Sequence, residues 1–510
     1  MIRRPWSVAT TVLPLLGLSG PAACGSGEQA GAASGNGSSS GSDGGGANGS
    51  GASSTGAGSS SSRGSGSGGV GSDGSGSGAA TPIGGSASGS SGTGPSPGSS
   101  GADSGTASSG SGPSGSDGSS GGTGSSSGSG VDGASGGSSS SGSGSGASSG
   151  RDAGPNATST ATRPQLTDAQ AASNTVLAYL AQAGTIGSLV TDNWNPTTGL
   201  GDASKFTASF TVAADGSGTH TTVQAAIDAA TGSSRVYILV EPGAYREVVC
   251  VKTTAPPITL YGTSTDATKV VIVFNNQASS GGITTANPCS TSTSGTSATA
   301  TVMAFANGFQ AKNLTISNDF ASPTGTYQAV ALMTQADQIV LENVRLHGYQ
   351  DTFFMHTSAV TTVARVYVKN SFIEGDTDFV FGRATAVMDG CTINYLSSRK
   401  QSGTILAPST DPRNSYGFLV FASNLTSDAG TTANSVYLGR AWDNGVAAGG
   451  YVPGTSPNGQ AVIAESALAV DIRMADPWAV AATSGRAFSS TGANANRLYE
   501  YRNSGPGAAP

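Results

Sequence analysis

Two aspartates, two glutamines and one arginine have the residue types and spacing that ester hydrolysis by a carboxylate requires. They are Gln328, Gln350, Asp351, Asp378 and Arg440. One carboxylate can attack an ester carbonyl, while a second carboxyl group supplies and removes protons. Glutamine amides can donate hydrogen bonds to an oxyanion, and an arginine can keep a neighbouring aspartate ionised. The five residues predict a polar site for ester hydrolysis, provided that the fold brings them together.

The sequence lacks the motifs of other hydrolase classes. No Gly-x-Ser-x-Gly motif follows a predicted strand, which disfavours a serine esterase. Neither a His-Glu-x-x-His motif nor a cysteine cluster with zinc-ligand spacing is present. The formal net charge is −7 and no Lys/Arg cluster occurs, which argues against a nucleic-acid partner. We therefore predict carboxylate chemistry with no metal and no other cofactor.

A repeated phrase indicates the scaffold that must position these residues. A short polar turn followed by a short apolar strand recurs every 20–35 residues. The turns centre on Asn313, Asn343, Asn370, Gly390 and Asn424. Because one such turn cannot bury its own apolar face, neighbouring turns must stack, which predicts an all-β parallel β-helix, or solenoid. A β-sandwich is the alternative, and the long, uneven spacings disfavour it.

Composition divides the chain into four segments. We expect residues 1–24 to be an export signal and residues 25–156, almost wholly Gly and Ser, to be a disordered tether. Residues 157–205 form an N-terminal extension with one predicted helix, and residues 206–510 form the β-helix domain.

Two helices are predicted near the start of the folded part. The first covers residues 168–182, with Thr167 or Asp168 as its N-cap. The second covers residues 221–230 and is expected to cap the N-terminal end of the solenoid. The apolar face of the second helix consists of Val223, Ala226, Ile227 and Ala230.

The first 24 residues resemble a bacterial lipoprotein signal. Arg3 and Arg4 precede an apolar run from Trp6 to Leu18, and small residues then lead to Cys24. We therefore expect export, lipidation of Cys24, and a protein tethered at the bacterial cell surface or outer membrane. The alternative is plain secretion with Cys24 unmodified.

Three cysteines remain in the folded part: Cys250, Cys289 and Cys391. In an exported protein one pair can form a disulfide, which leaves one thiol free. The sequence leaves the pairing open.

From about Phe210 to the C-terminus, the chain resembles the pectin methylesterase (pectinesterase) family. The phrases that carry the resemblance are Gly243–Glu247, Gly308–Thr315, Thr326–Leu332, Gly348–Thr352, Gly375–Gly382, Leu438–Trp442 and Arg497–Ala508. The family fold is a right-handed parallel β-helix, which agrees with the repeat.

The resemblance implies hydrolysis of galacturonate methyl esters in homogalacturonan, the methyl-esterified backbone of pectin, with release of methanol. It implies that Asp378 is the nucleophile and Asp351 the acid/base. Gln350 and Gln328 would form the oxyanion hole, and Arg440 would hold the nucleophile.

The resemblance also implies a set of substrate contacts. These are Thr301, Gln328, Phe381, Arg440 and Trp442. Two departures from the family pattern stand out. Ala441 replaces a usual proline, and residues 357–365 lengthen a segment that we expect to form a surface loop near one rim of the site.

Other interpretations remain open at this stage. The chain could be a related β-helix esterase that acts on another ester or thioester, or a polysaccharide lyase on the same fold. It could also be a non-catalytic surface polysaccharide-binding protein. Trp442 and the intact set of five side chains disfavour another ester, and the five side chains also argue against a non-catalytic protein. A lyase would need calcium-binding carboxylates and a lone basic residue as the base. We expect a monomer.

Overall fold

The computed structural model of the protein describes residues 157–321 and 327–510. The predicted export signal with Cys24 and the predicted tether over residues 25–156 lie outside the described residues. Within these two ranges, no helix is long and apolar enough to cross a membrane.

Most strands form two parallel sheets that wind into a β-helix, as predicted. One sheet has sixteen strands and the other has seven. Successive coils stack in register, so that Phe353 pairs with Leu332 on one side and with Val380 on the other. The inward side chains of both sheets form one continuous apolar core along the solenoid.

The secondary-structure elements have the following bounds. The strands of the sixteen-stranded sheet are Phe210–Val212, Val236–Val240, Gly243–Arg246, Ile258–Tyr261, Val270–Phe274, Gln310–Asn318, Ile339–His347, Arg365–Lys369, Phe372–Gly375, Thr385–Asp389, Thr392–Tyr395, Phe418–Phe421, Asn424–Ser427, Gln460–Ala464, Ala467–Leu468 and Arg497–Tyr501. Those of the seven-stranded sheet are Val249–Val251, Val302–Ala304, Leu332–Thr334, Phe353–Met355, Val380–Gly382, Thr404–Pro408 and Tyr437–Gly439. The α-helices are Asp168–Ala171, Val176–Ala181 and Val223–Asp228, and the 3-10 helices are Ala203–Lys205, Ala267–Lys269 and Ser297–Thr299.

Left-handed backbone marks the same turn in successive coils. Asn313, Asn343 and Asn370 have φ values of 58°, 51° and 49°, and Gly390 follows with 64°. Asparagine and glycine tolerate this conformation better than other residues. The predicted turn residues are confirmed at these four positions.

The prediction for Asn424 is wrong. Asn424 lies in a strand and pairs with Thr392, while Ala422 takes the left-handed turn with a φ of 47°. The register is set by Ser423, whose hydroxyl accepts a hydrogen bond from the backbone N–H of Cys391 at 2.9 Å. This contact aligns Ser423 with Cys391, so the residue before Ser423 falls at the turn.

The predicted capping helix is confirmed as Val223–Asp228. The side chain of Thr222 accepts from the backbone N–H of Ala225 at 3.2 Å, as an N-cap should. The carboxylate of Glu247 accepts from the first two backbone N–H groups of the helix at 2.8 and 2.9 Å. The buried face of the helix closes the first coils of the solenoid.

The single helix predicted over residues 168–182 is instead two short helices, Asp168–Ala171 and Val176–Ala181. Thr167 caps the first, as predicted, and Thr175 caps the second. Asn174 ends the first helix because its side chain donates to the carbonyl of Gln170 instead of continuing the helix.

The extension continues into an antiparallel hairpin, Gln182–Thr185 with Ser188–Thr191. The first hairpin strand also pairs with Thr362–Val363. That short strand lies in the 357–365 segment, which we predicted to be a surface loop near the site. The prediction is wrong for these residues, because they give the extension a strand edge with which to pair.

Buried ion pairs attach the extension to distant coils. Arg163 Nε lies 2.7 Å from Glu500 Oε1, and both side chains are buried. The fully buried Arg365 lies 2.6 Å from Asp192 of the extension and 2.7 Å from Asp337 of the β-helix. The extension is therefore part of the folded domain.

An apolar cluster lies between the extension and the outer face of the sixteen-stranded sheet. Tyr179 and Leu180 are fully buried there. The sheet side of this cluster consists of Val340, Tyr367, Val387, Leu419, Val462 and Ala464. We call this face the covered flank.

One disulfide joins Cys250 to Cys289, and Cys391 is buried and free. The bond links strand Val249–Val251 to a loop over residues 275–296. That loop also contacts the region of the predicted site, because the backbone N–H of Ala278 donates to the carbonyl of Gln328 at 3.0 Å.

Candidate active site

The predicted catalytic residues meet along the ends of neighbouring strands in the seven-stranded sheet. Gln328, Gln350, Asp351 and Asp378 each precede a strand, and Arg440 follows one. Backbone bonds stack these positions, since Asp351 N–H donates to the carbonyl of Thr377 at 3.0 Å. The register places Asp351 and Asp378 at the same position of successive coils. Residues 27 positions apart in sequence thus become neighbours.

Asp378 is held on both oxygens. Arg440 Nε lies 2.9 Å from Oδ1 and 3.2 Å from Oδ2, and Nη2 adds a further bond to Oδ2. The hydroxyl of Thr404 donates to Oδ1, and the backbone N–H of Asp378 donates to the carbonyl of Thr404 at 2.7 Å. Asp378 is only 8% exposed and its φ is 47°. These contacts fix the orientation of one carboxylate and stabilise its negative charge.

Asp351 lies in a different electrostatic environment. It is 8% exposed and also adopts a left-handed conformation, with a φ of 66°. Burial raises the pKa of Asp351 well above its usual value, and the negative charges of Asp378 and Asp376 raise it further. The positive charges of Arg440 and Lys400 partly oppose this rise. The site therefore contains one arginine-bound carboxylate and one carboxyl group that retains its proton more readily.

The guanidinium of Arg440 stays protonated although the side chain is largely buried. Burial alone would lower the pKa of Arg440, but the charge and hydrogen bonds of Asp378 raise it above its usual value. Arg440 therefore remains a cation beside Asp378.

Gln350 directly precedes Asp351, Gln328 lies on the preceding coil, and both glutamines are half-buried. The carbonyl of Gln350 accepts from the backbone N–H of Ala329 at 3.1 Å, which ties the two glutamine-bearing coils together. An oxyanion hole needs donors on neighbouring segments, and the backbone bond places the two glutamines on neighbouring coils.

Thr301 does not reach the site. It is fully buried, and its hydroxyl donates to the carbonyl of Ser317 at 3.0 Å. The register aligns Thr301 with the inward-facing Ala331, whereas its neighbour Ala300 occupies the position of the two aspartates. The implied substrate contact is therefore wrong for this side chain.

Of the two aromatic residues that the resemblance implies as substrate contacts, Phe381 is buried and Trp442 is partly accessible. Phe381 is 4% exposed and stacks on Phe354 with ring centroids 4.3 Å apart. Trp442 is half-buried, lies 5.8 Å from Phe381, and donates from Nε1 to the hydroxyl of Thr483 at 3.1 Å. Phe381 thus packs beneath Trp442, and Trp442 is the ring that a ligand can touch.

Sequence reasoning missed several residues that support the site. Asp376 is fully buried and pairs with Arg399 at 2.6 Å, while the guanidinium of Arg399 lies over the ring of Tyr349. Lys400 Nζ donates to the hydroxyl of Thr377 at 3.0 Å. A signal did exist, because Arg399-Lys400 is the one adjacent pair of basic residues in the sequence after residue 156. Thr404 carried no such signal.

The arrangement brings two carboxyl groups and an arginine together, with two glutamines on adjoining coils. Across residues 157–321 and 327–510, no group of three His, Cys, Asp or Glu side chains could hold a metal ion.

The fold and the site together define a parallel β-helix hydrolase. A family model described as Pectinesterase matches residues 209–446. A pectinesterase from Ralstonia nicotianae is 50% identical over 368 residues, which cover 69% of this chain and 93% of that protein. The chain belongs to the pectinesterase family and is a carboxylic ester hydrolase.

Solved structures agree with this assignment. The pectin methyl esterase of the rice weevil is 35% identical, with a TM-score of 0.59, and covers 69% of this chain and 99% of its own. Escherichia coli YbhC is 31% identical with the same TM-score of 0.59, and covers 71% of this chain and 98% of its own. The parallel β-helix is common to these relatives.

Proposed function

We propose that the protein hydrolyses galacturonate methyl esters of pectin, with Asp378 as the nucleophile and Asp351 as the acid/base. The observation that carries this proposal is the contrast between the two carboxyl groups. Arg440 and Thr404 hold Asp378 as an oriented carboxylate, whereas burial and charge raise the pKa of Asp351. Two adjacent carboxyl groups in unlike environments are suited to unlike roles.

In the first step, an oxygen of Asp378 attacks the ester carbon and the carbonyl electron pair moves onto oxygen. The side-chain amides of Gln350 and Gln328 donate hydrogen bonds to this oxyanion. As the intermediate collapses, the bond to the methoxy group breaks and Asp351 gives its proton to the departing methanol. The product of this step is an anhydride between Asp378 and the galacturonate.

In the second step, Asp351 is a carboxylate and accepts a proton from an attacking water. The resulting hydroxide adds to the galacturonate carbonyl, and Asp378 leaves as a carboxylate. Asp351 is protonated again and Asp378 is again bound by Arg440. The net reaction consumes one water and one ester and yields methanol and one galacturonic acid group. Trp442 offers its accessible ring to the sugar.

We further propose that the catalytic domain acts outside the cell as a monomer, tethered through a lipidated Cys24. The disulfide between Cys250 and Cys289 supports export, because such bonds persist in oxidising compartments. Incorporation of labelled fatty acid into the wild-type protein, and its loss in Cys24→Ala, would test the anchor. Equal labelling of both would contradict it.

The central experiment measures methanol release from highly methylated pectin by the purified protein and by Asp378→Asn. We expect activity from the wild type and none from the variant at an unchanged melting temperature. Retained activity in Asp378→Asn would exclude this residue as the nucleophile. A wild type that releases no methanol but cleaves an acyl thioester would favour the activity that the provisional name of E. coli YbhC gives that relative.

A further inference from the structure

The segment that carries Gln328 is not part of a strand or a helix. Gln328 lies four residues before the strand Leu332–Thr334. A glutamine that donates to an oxyanion must be held within about 0.5 Å of the geometry that catalysis requires. Contacts from other segments must therefore fix the backbone at this point.

Buried side chains bind both backbone groups of Val330, two residues after Gln328. The N–H of Val330 donates to the hydroxyl of Thr299 at 2.9 Å, and its carbonyl accepts from the side-chain amide of Asn318 at 3.1 Å. Val330 and Thr299 are fully buried, and Asn318 is 1% exposed. Loss of the Thr299 hydroxyl would leave the N–H of Val330 buried without this partner, which is costly.

Asn318 also joins this segment to the loop that the disulfide closes. Its amide donates to the carbonyl of Asn276 in that loop at 2.9 Å and to the carbonyl of Thr299 at 3.2 Å. Its Oδ1 accepts from the backbone N–H of Phe320 at 3.1 Å, which fixes the orientation of the amide. With the bond to Val330, one side chain thus binds carbonyls of three different segments.

The loop contacts Gln328 directly as well. The backbone N–H of Ala278 donates to the carbonyl of Gln328 at 3.0 Å. Asn276 precedes Ala278 by two residues and Val330 follows Gln328 by two, so the two segments run antiparallel. Two carbonyls cannot bond each other, and the amide of Asn318 supplies the donor that joins those of Asn276 and Val330.

Further contacts hold the loop in place. Asn276 is fully buried, its Oδ1 accepts from the backbone N–H of Thr284 at 2.9 Å, and its Nδ2 donates to the carbonyl of Thr285 at 2.7 Å. The disulfide between Cys250 and Cys289 ties the loop to a strand of the seven-stranded sheet. The loop is therefore a fixed support for the neighbouring segment.

We propose that Asn318 and Thr299 are positioning residues, which hold the backbone at Gln328 so that its side-chain amide reaches the oxyanion. This inference rests on the proposed function, in which Gln328 donates to that oxyanion. Both side chains are buried and bind backbone groups, so they act through Gln328 and not on the sugar.

The test uses the full chain as wild type and as four single variants, Thr299→Val, Thr299→Ser, Asn318→Ala and Gln328→Ala. Thr299→Val and Asn318→Ala are also each combined with Gln328→Ala. Both kcat and KM for methanol release are measured on highly methylated pectin. Circular dichroism gives the folded fraction of each protein, so that kcat refers to folded enzyme alone.

Asn503→Ala is the matched control. The amide of Asn503 also joins two backbone segments, because it donates to the carbonyl of Ile463 and accepts from the N–H of Ser466, both at 3.0 Å. It lies beyond the last strand of the sixteen-stranded sheet and carries no catalytic group. Its loss should lower the melting temperature and leave kcat at the wild-type value.

We expect Thr299→Val and Asn318→Ala each to lower kcat about tenfold, which is part of the 10²–10³-fold contribution of one oxyanion donor. KM should change little, because the lost interaction is made only in the transition state. Thr299→Ser keeps the hydroxyl and should retain the wild-type kcat. In the Gln328→Ala background neither substitution should lower kcat further, because the amide that they position is already gone.

Wild-type kcat in both Thr299→Val and Asn318→Ala would overturn the inference. Equal losses with and without Gln328→Ala, or a similar fall in Asn503→Ala, would overturn it too. Thr299→Val decides the question if Asn318→Ala fails to fold, since it keeps the shape of the side chain. A wild type that releases no methanol, or a Gln328→Ala variant with full kcat, would instead refute the proposed function, and the inference with it.

Discussion

Arg365 of the sixteen-stranded sheet is fully buried, whereas Arg383, directly after the strand Val380–Gly382 of the seven-stranded sheet, is half-buried, and the contacts of their side chains differ. Arg365 donates to Asp192, to Asp337 and to the carbonyl of Leu180. Arg383 donates to none of the described residues through its side chain. Folded proteins satisfy nearly all buried polar groups. Arg365 therefore joins the extension to the β-helix, whereas Arg383 makes no such link among the described residues.

The same difference separates the two faces as a whole. On the covered flank, the extension buries Tyr179 and Leu180 against the sixteen-stranded sheet. The outer face of the seven-stranded sheet, which we call the cleft flank, carries Asp351, Asp378 and Trp442. Substitutions on the covered flank should change stability and spare turnover, whereas those on the cleft flank should do the reverse.

Asp351→Asn should have the largest effect on the cleft flank. Loss of the proposed acid/base should lower kcat by about 10³-fold, within the usual range for such groups. Steady-state methanol release would measure this effect. A variant that retains more than a tenth of the wild-type kcat would break the assignment of Asp351.

The same variant should also be more stable than the wild type at pH 7. The pKa of Asp351 is raised in the folded state, so the folded protein binds this proton more tightly than the unfolded chain. The stability from this group is present at low pH and is lost as pH rises through the folded-state pKa. The gain in melting temperature should therefore be larger at pH 7 than at pH 4, and an equal gain at both would contradict the linkage.

Gln350→Ala should lower kcat by about 10²–10³-fold, the usual result of removing one oxyanion donor. The melting temperature should change little, because Gln350 is only half-buried. Gln401→Ala is the matched control, since that exposed amide bonds Thr432 outside the site. Similar kcat values for the two variants would remove Gln350 from the oxyanion hole.

Arg365→Met tests the covered flank. It leaves the carboxylates of Asp192 and Asp337 without their shared cation, and breaking such a buried network typically costs about 3 kcal/mol. Urea unfolding should report this loss, while kcat of the folded protein stays at the wild-type value. A fall in kcat at unchanged stability would invert the comparison between the two flanks.

Thr404→Val should have the smallest effect. The hydroxyl that orients Asp378 is lost, and one such hydrogen bond is worth about 1 kcal/mol, or roughly fivefold in kcat. KM should not change, because Thr404 contacts Asp378, the proposed nucleophile, and not the sugar. A variant with altered KM and normal kcat would show that Thr404 acts on binding instead.

Local sequence predicted the solenoid and the candidate site because short sequence motifs specify both. The turn residues Asn313 and Asn343 specify a left-handed backbone locally, and the Gln-Asp pair at 350–351 carries its own chemistry. Thr301 was misjudged because a shift of one residue in register turns a side chain from the cleft into the core.

Contacts between residues that are distant in sequence could not be predicted from local sequence patterns. The bond from Thr404 to Asp378 and the strand pairing between the extension and Thr362–Val363 depend on stacking that no local pattern encodes. That Arg383 pairs with none of the described residues likewise depends on its surroundings, which the local sequence does not specify.

The extension also changes how such a solenoid can come apart. Stacked coils contact only their neighbours, so an unbraced array can lose its end coils one at a time. Here Arg163 bonds Glu500 in the last strand, the hydroxyl of Tyr179 accepts from Gln460, and Asp192 holds Arg365 near the middle. The extension thus contacts coils that lie far apart along the solenoid. Unfolding of an end coil would therefore also break contacts of the extension, which makes the coils unfold together as one cooperative unit.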